Sequence, residues 1–248
     1  MALRTSGGTA LLKAVLILAL DSSTGVVTAG VARSGEGGRE VLAETSIPSR
    51  GASETLLPAV HAALDLAGTN LNEVERILVG VGPGTFTGIR IALAAARCLS
   101  LVTGAALSKN STLAALAAPA LLGAAEPEIL AVLDARRRQV FAQRFGVGGA
   151  RGEISCTAPE ELPATPVAES APAGEPTLLV GDGAVRYREA LSGLGRIPPG
   201  ASPLHRVTAV GHVLSAELTP VPAREVVPLY IREPDAEARR DLNPWSKA

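Results

Sequence analysis

The chain is poor in the residues on which most recognisable chemistry depends. Its 248 residues include six aromatic side chains, three Phe, two Tyr and one Trp, so a base-stacking platform is not expected. Neither charge dominates: 23 Lys and Arg face 24 Asp and Glu, a formal net charge of −1. That balance argues against a nucleic-acid binder that works alone through a broadly basic surface. The only cysteines are Cys98 and Cys156. They form no metal pattern and no disulfide framework, and the expected setting is reducing. His61, His205 and His212 include no HxxxH pair, so no zinc-hydrolase signature is present and no metal site is expected.

The first apolar stretch does not read as a targeting or membrane segment. The stretch 11–20 follows Arg4 as the core of a signal peptide would, yet Lys13 interrupts it, Asp21 ends it and no small-residue cleavage site follows. It is too short to span a bilayer. Residues 15–20 are read instead as the first core strand and 1–14 as a disordered leader. The protein is expected to be cytoplasmic, with no membrane association.

What the sequence does contain is organised around residues 76–104, RILVGVGPGTFTGIRIALAAARCLSLVTG. Ile77, Leu78, Val79 and Val81 read as a buried strand that ends in a glycine-rich turn. Gly82, Gly84 and Gly88 let the backbone bend or approach something closely, and Thr85 and Thr87 are candidate N-caps of the next helix. From Gly88 onward almost every side chain is Ile, Leu, Ala or Val, so the helix must be covered on most sides. Arg90, Arg97 and Ser100 are its polar exceptions, close to one line along it. Neither nucleotide fingerprint is present. A Walker loop needs Lys and Ser or Thr where Ile89 and Arg90 stand, and the dinucleotide motif needs a glycine where Thr85 or Thr87 stands.

Taken in order, 15–21, 26–32 and 40–47 read as an antiparallel three-strand meander. A helix over 54–67 follows, capped by Ser53 and kinked or shortened by Pro58. After the central strand, turn and helix comes a strand at 105–109. A second round begins at Ser111, with a helix over 112–122 and strands at 129–134 and 139–147 on either side of the turn Ala135-Arg136-Arg137-Arg138. Asp134 ends its apolar strand just as Asp21 ends the first one. The triple arginine reads as a solvated turn, with RNA or phosphate contact as the sharper alternative. Residues 161–176, rich in Pro, Ala and Glu, read as a long surface loop. A strand at 177–180, a turn at 181–183 and helices over 184–191 and 207–218 complete the chain.

These pieces resemble the TsaB (YeaZ) family, the dimerisation subunit of the bacterial tRNA threonylcarbamoyladenosine machinery. The resemblance spans about 15–233. It rests on ILALDSS at 17–23, GVGPGTFTGIRIAL at 80–93, STLAALA at 111–117, VLDARRRQVFA at 132–142, GDGA at 181–184 and PLYIRE at 228–233. GPGTFTGIRI is highly specific, and the others occur in the expected order. The resemblance implies an α/β, actin-like ASKHA (ribonuclease H-like) fold of two lobes, each with a mixed sheet and packed helices. The first lobe is expected over 15–110, the second over 111–231, and a charged tail over 232–248.

The resemblance further implies a non-catalytic subunit that pairs with the transferase TsaD, joined by the ATPase TsaE. The complex acts on the adenosine beside the anticodon of tRNAs reading ANN codons, and tRNA is expected to be met only through the complex. The family's partner contact is a helical bundle that maps onto 54–67 and 88–103. It is expected to centre on Leu56, Leu57, Val60, Ile89, Arg90, Leu93, Ala96, Arg97 and Ser100, with a homodimer possible through the same surface when the chain is alone. No cofactor of its own is expected, although ATP or ADP could sit at the complex interface. Asp21, Ser22, Gly82, Gly84, Thr85 and Asp134 are the candidates for nucleotide or anion contact. TsaD-type proteins carry paired metal-binding histidines on the helix equivalent to 54–67, where this chain has only His61. Many TsaB members keep a histidine just before that helix, and here Arg50-Gly51-Ala52-Ser53 stands there. The alternative reading is an active ASKHA-type ATPase or phosphotransferase using Asp21 and Asp134.

Overall fold

Every residue of VLILALD after the first two is fully buried, because this strand lies in the middle of a sheet covered on both faces. The computed structural model describes residues 14–49, 51–123, 125–169 and 176–232. The leader expected at 1–14 and the tail expected at 232–248 lie outside them, apart from Ala14 and Arg232. In chain order the elements are β1 (Val15–Asp21), β2 (Val26–Gly35), β3 (Gly38–Pro48), α1 (Ala52–Leu66), β4 (Arg76–Gly80), α2 (Phe86–Thr103), β5 (Ala106–Asn110) and α3 (Thr112–Gly123). The chain continues with β6 (Glu128–Arg136), β7 (Gln139–Gly146), β8 (Gly149–Thr157), α4 (Pro166–Glu169), β9 (Thr177–Val180), α5 (Asp182–Arg186), α6 (Arg188–Leu191) and α7 (Ala209–Ser215).

The strands form two mixed sheets, ordered β3-β2-β1-β4-β5 and β8-β7-β6-β9. In each, an antiparallel meander supplies the first three strands, and the strand after a helical crossover pairs parallel to the first. This repeated order is that of the expected actin-like, two-lobed ASKHA fold. Alternation along β1 divides the first core. Leu18 and Leu20 face α1 and α2, whereas Ile17 and Ala19 pack with Ala209, Val213 and Ala216 around α7. In the second half, Ile129, Ala131 and Leu133 pack against α3, and Leu130 and Val132 against α5 and α6.

The segment beyond α6 does not stay with the second sheet. Besides α7, the stretch 221–229 returns to the first lobe: Val221 N–H donates to Leu107 O and Leu229 N–H to Val81 O, each at 2.8 Å. Val226 is fully buried in the first core. The expected second lobe, 111–231, therefore lends its last helix and this strap to the first. Between the lobes, α3 is apolar on all sides and crosses α7 so closely that a Cβ at Gly211 would lie 2.0 Å from Ala115 O.

Several local expectations change. β8 was not anticipated: its first five residues, GARGE, are exposed, and the strand forms because β7 offers it a free edge to pair with. The expected loop 161–176 holds a short 3₁₀ turn at Leu162–Ala164 and then α4. The helix expected over 184–191 starts earlier, at Asp182, and breaks at Tyr187 (φ −112°, ψ 35°) into α5 and α6. Residues 181–183 are thus a helix start and not a free turn. The helix expected over 207–218 is the shorter α7, capped by Thr208, whose hydroxyl accepts from Gly211 N–H. Gly51, not Ser53, occupies the cap position of α1, and Pro58 sits inside that helix without ending it. Thr85 is the N-cap residue of α2, but its side chain makes no capping hydrogen bond.

The Gly211 contact can be tested by urea denaturation. Gly211→Ala is expected to cost about 1–3 kcal/mol or more, because backbone lies where the methyl group would go. Gly148→Ala, with nothing within 4 Å of its Cβ position, is expected to be near neutral. Equal midpoints for the two variants would show that α3 and α7 do not need this approach.

Candidate functional site

Two of the sequence motifs meet directly. The end of β1, Asp21-Ser22-Ser23, lies against the glycine-rich turn between β4 and α2. Thr85 N–H donates to Ser23 O at 2.7 Å, and Ser22 Oγ donates to Gly88 O at 2.8 Å. A Cβ at Gly80 would fall 2.0 Å from Asp21 Oδ2, and one at Gly88 would fall 1.9 Å from Ser22 O. Gly84 is similarly crowded by Ser23, and Gly82 takes a left-handed φ of 100° beside Ile89. Gly80, Gly84 and Gly88 therefore make room for residues 21–23 of the chain itself. Asp21, Ser22, Gly82, Gly84 and Thr85 are brought together as expected, but as a closed junction.

Asp21 is 1% exposed and surrounded by donors. Ser23 N–H reaches Oδ1 at 2.5 Å, and Thr112 Oγ1–H reaches Oδ2 at 2.9 Å. His212 Nε2 lies 2.8 Å from Oδ2. On its other side His212 Nδ1 faces Asn110 Nδ2 at 3.3 Å. An amide donor at Nδ1 leaves Nε2 as the protonated nitrogen, so a neutral imidazole satisfies both contacts. Burial would push the Asp21 carboxyl up. The hydrogen bond from His212, with the hydrogen bonds from Ser23, outweighs burial and holds it below the usual value. His212 joins the junction from 191 residues away, and nothing in the sequence marks it as the partner of Asp21.

Asp134 belongs to a separate cluster at the end of β6. Its side chain is 4% exposed and lies beneath Arg136 at 3.4 Å and Arg186 at 3.7 Å. Its own N–H donates to Asp182 Oδ1 at 2.9 Å. Asp134 lines a cavity of about 390 Å³ whose wall also includes Thr24, Gly25 and Val26 from the β1–β2 turn, with Asp182, Arg136, Arg186, His205 and Arg206. The turn after β1 thus reaches the cavity while Asp21 does not. His205 is committed to the fold: its Nδ1 accepts from Gly181 N–H at 3.1 Å, which leaves Nε2 to donate to Pro198 O at 3.3 Å. Among the described residues no group of three or more His, Cys, Asp and Glu side chains is arranged to hold a metal ion.

The residues expected to bind a partner divide by depth. Leu56, Val60, Ile89, Leu93 and Ala96 are at most 4% exposed and belong to the chain's own first core. They are the inward side of α1 and α2, already covered by this chain itself, and a charged residue at Ala96 would break this chain's own packing. Two of the polar trio hold the C-terminal segment, and the third holds the turn after α2. Arg90 Nε donates to Tyr230 OH at 2.9 Å and stacks over Phe86 at 3.6 Å; Arg97 donates to Val226 O at 2.6 Å; Ser100 donates to Ala105 O at 2.7 Å. Of the expected apolar residues only Leu57 is exposed; what the sequence reading missed is the rest of the outward apolar side, Leu101 at 86% exposed, Val102 at 77%, and Leu66 on α1. By length and composition α2 could cross a membrane, but its inner side is occupied by the core.

The Asp21 junction sets a pH dependence. A carboxyl held below its unfolded value, about 3.9, stabilises the fold at higher pH, and that contribution is lost as pH falls through its folded value. Stability is therefore expected to drop on acidification below about pH 4. Asp21→Asn places an amide among three donors and is expected to cost about 3–5 kcal/mol at neutral pH, with a flatter acid limb. Urea midpoints measured across pH 3–7 check this, and parallel limbs for the two proteins would remove Asp21 as the titrating group.

Comparison with known proteins places this architecture. A family profile described as "TsaD: tRNA N6-adenosine threonylcarbamoyltransferase" matches residues 44–167. An uncharacterized protein of Mycobacterium tuberculosis is 32% identical over 222 residues, 89% of this chain and 93% of that protein. The tRNA threonylcarbamoyladenosine biosynthesis protein TsaB of Escherichia coli is 31% identical over 125 residues, 50% of this chain and 52% of that protein. Among solved structures, YeaZ from Pseudomonas aeruginosa superposes with a TM-score of 0.67 at 25% identity, covering 88% of this chain and all of that one. With the specific glycine turn, the doubled sheet order and these relatives in agreement, the chain belongs to the TsaB/YeaZ family.

Proposed function

We propose that this protein takes part in tRNA threonylcarbamoyladenosine biosynthesis as a non-catalytic cytoplasmic subunit that pairs with TsaD, with TsaE joining the pair. The modified position is the adenosine beside the anticodon of tRNAs reading ANN codons. The observation that carries the pairing is the outward side of α2. Ala94, Cys98, Leu101 and Val102 leave it apolar and of low relief, and Leu101 is 86% exposed. Such a face on an otherwise well-filled lobe is stabilised by burial against another helical surface. Leu57 on α1 is exposed as well, and Arg90 and Arg97 lie on α2 beside the apolar residues. In the absence of TsaD the same face supports a homodimer.

A second reading, nucleotide binding, is favoured by the cavity between the two hairpin turns. Its carboxylates, Asp134 and Asp182, would suit a metal–phosphate ligand such as ATP or ADP. Of the two aspartates expected to flank a nucleotide, only Asp134 lines this cavity, which weighs against an ATPase that uses Asp21. ATP turnover by the chain alone, abolished by Asp134→Asn, would favour this reading over the scaffold.

Size-exclusion chromatography with light scattering, on this chain, on TsaD of the same organism and on their mixture, tests the main proposal. A one-to-one species is expected. Leu101→Glu is expected to weaken it at least tenfold, about 1.4 kcal/mol, with unchanged circular dichroism. Independent elution of the wild-type proteins, with ATP and TsaE present, would refute the pairing.

A further inference from the structure

Three consecutive arginines form the tip of the β6–β7 hairpin, and all three are in the left-handed region: Arg136 at φ 64°, Arg137 at 52° and Arg138 at 57°. They are the only non-glycine residues with positive φ among the described residues. A left-handed conformation costs an L-residue about 1–2 kcal/mol, and hairpin tips of this kind favour Asn and Gly. A run of three arginines is therefore the reverse of what the local backbone prefers. The charges are also sorted by depth. The Asp134 carboxylate beneath is 4% exposed, while the side chains of Arg136, Arg186 and Arg138 are 62%, 60% and 86% exposed.

The surroundings add to the same sign. Arg206 lines the mouth of the adjoining cavity, and Arg232 binds the hairpin base through Ala135 O and Gln139 Oε1. Carboxylates that meet this group include Asp134, Asp182 in the cavity wall, and Glu160 at 4.0 Å from Arg138. In a chain with a net charge of −1, this end of the second sheet is a local concentration of exposed guanidinium groups. Guanidinium presents a planar fork that matches phosphate oxygens.

We propose that the arginine hairpin is a phosphate-contacting surface through which this chain itself touches the sugar–phosphate backbone of RNA. The proposal rests on the reading above, in which the chain works in a tRNA-modifying complex. It adds a direct RNA contact on the second lobe, at the hairpin and apart from α1 and α2. Six aromatic residues in the whole chain leave little for stacking on bases, so the contact is to the backbone and independent of sequence. The other source of the same chemistry is the phosphate of a free nucleotide in the cavity.

The test replaces the tip by Arg137→Asn with Arg138→Gly, residues that tolerate positive φ. The fold is thereby expected to be kept or strengthened while the charges are lost. Titration of an in vitro transcribed tRNA with the chain–TsaD pair, by fluorescence anisotropy from 50 to 300 mM salt, is expected to show at least ~10-fold weaker binding at low salt. The slope of log affinity against log salt should become shallower by about 1–2. The melting temperature should not fall, and TsaD pairing should be unchanged. Equal tRNA binding by the two proteins would overturn the proposal, and so would loss of TsaD pairing in the variant, since the hairpin would then be a protein contact. If calorimetry shows ATP binding lost while tRNA binding is kept, the phosphate belongs to a nucleotide in the cavity and the RNA surface is refuted. Failure of the wild-type chain to pair with TsaD refutes the preceding reading alone, and the same tRNA titration on the chain by itself then decides the hairpin.

Discussion

A buried carboxylate surrounded by donors holds the junction on which the rest of the structure depends. Asp21 ends the central strand, and the groups that satisfy it come from elsewhere: Ser23 from the following turn, Thr112 from the start of α3, and His212 from α7. Each comes from an element that must be in place before the carboxylate can be buried without cost. The contact thereby fixes α7 on the first sheet and α3 beside it. Ser23 Oγ, 3.0 Å from Thr112 Oγ1, ties the two ends of the network together.

The glycine-rich turn follows from this junction. Side chains at Gly80, Gly84 or Gly88 would occupy the positions of residues 21–23, so the most specific motif in the sequence is explained by close backbone packing. That packing also sets where α2 begins, and hence which of its sides turns outward. Ile89, Leu93 and Ala96 go into the core, and Leu101 and Val102 into solvent. The strap 221–229 closes the edge, clamped by Arg97 and Lys109, and Arg90 holds Tyr230 just beyond it. Polar residues on an apolar helix thus serve the chain's own C-terminal segment.

The two lobes repeat one design with different outcomes at corresponding ends. Asp21 and Asp134 each finish an apolar strand that leads into a hairpin. The first is sealed by the glycine turn and His212. The second stays at the wall of a cavity, beneath arginines carried on a left-handed hairpin. The same strand-end position therefore serves as a structural anchor in one lobe and as a charged, solvent-facing surface in the other. The difference arises from what packs above each strand end, since both strands are comparably apolar and buried.

The sequence by itself determined the first meander, the central strand, the extent of α1, α2 and α3 to within a few residues, and the family. These depend on local periodicity, glycine placement and motifs that survive as linear text. It also brought Asp21, Ser22, Gly82, Gly84 and Thr85 into one list, and they do meet. Tertiary structure alone decided that they meet face to face with no space between them, because the approach of two backbones is invisible to residue type. It alone paired Asp21 with His212, and it sent residues 209–229 back to the first lobe. It also formed β8 on the free edge of β7. The inward and outward sides of α2 were likewise undecided in the sequence: a helix of Ile, Leu and Ala has apolar residues all round, so only its neighbours determine which of them remain in water.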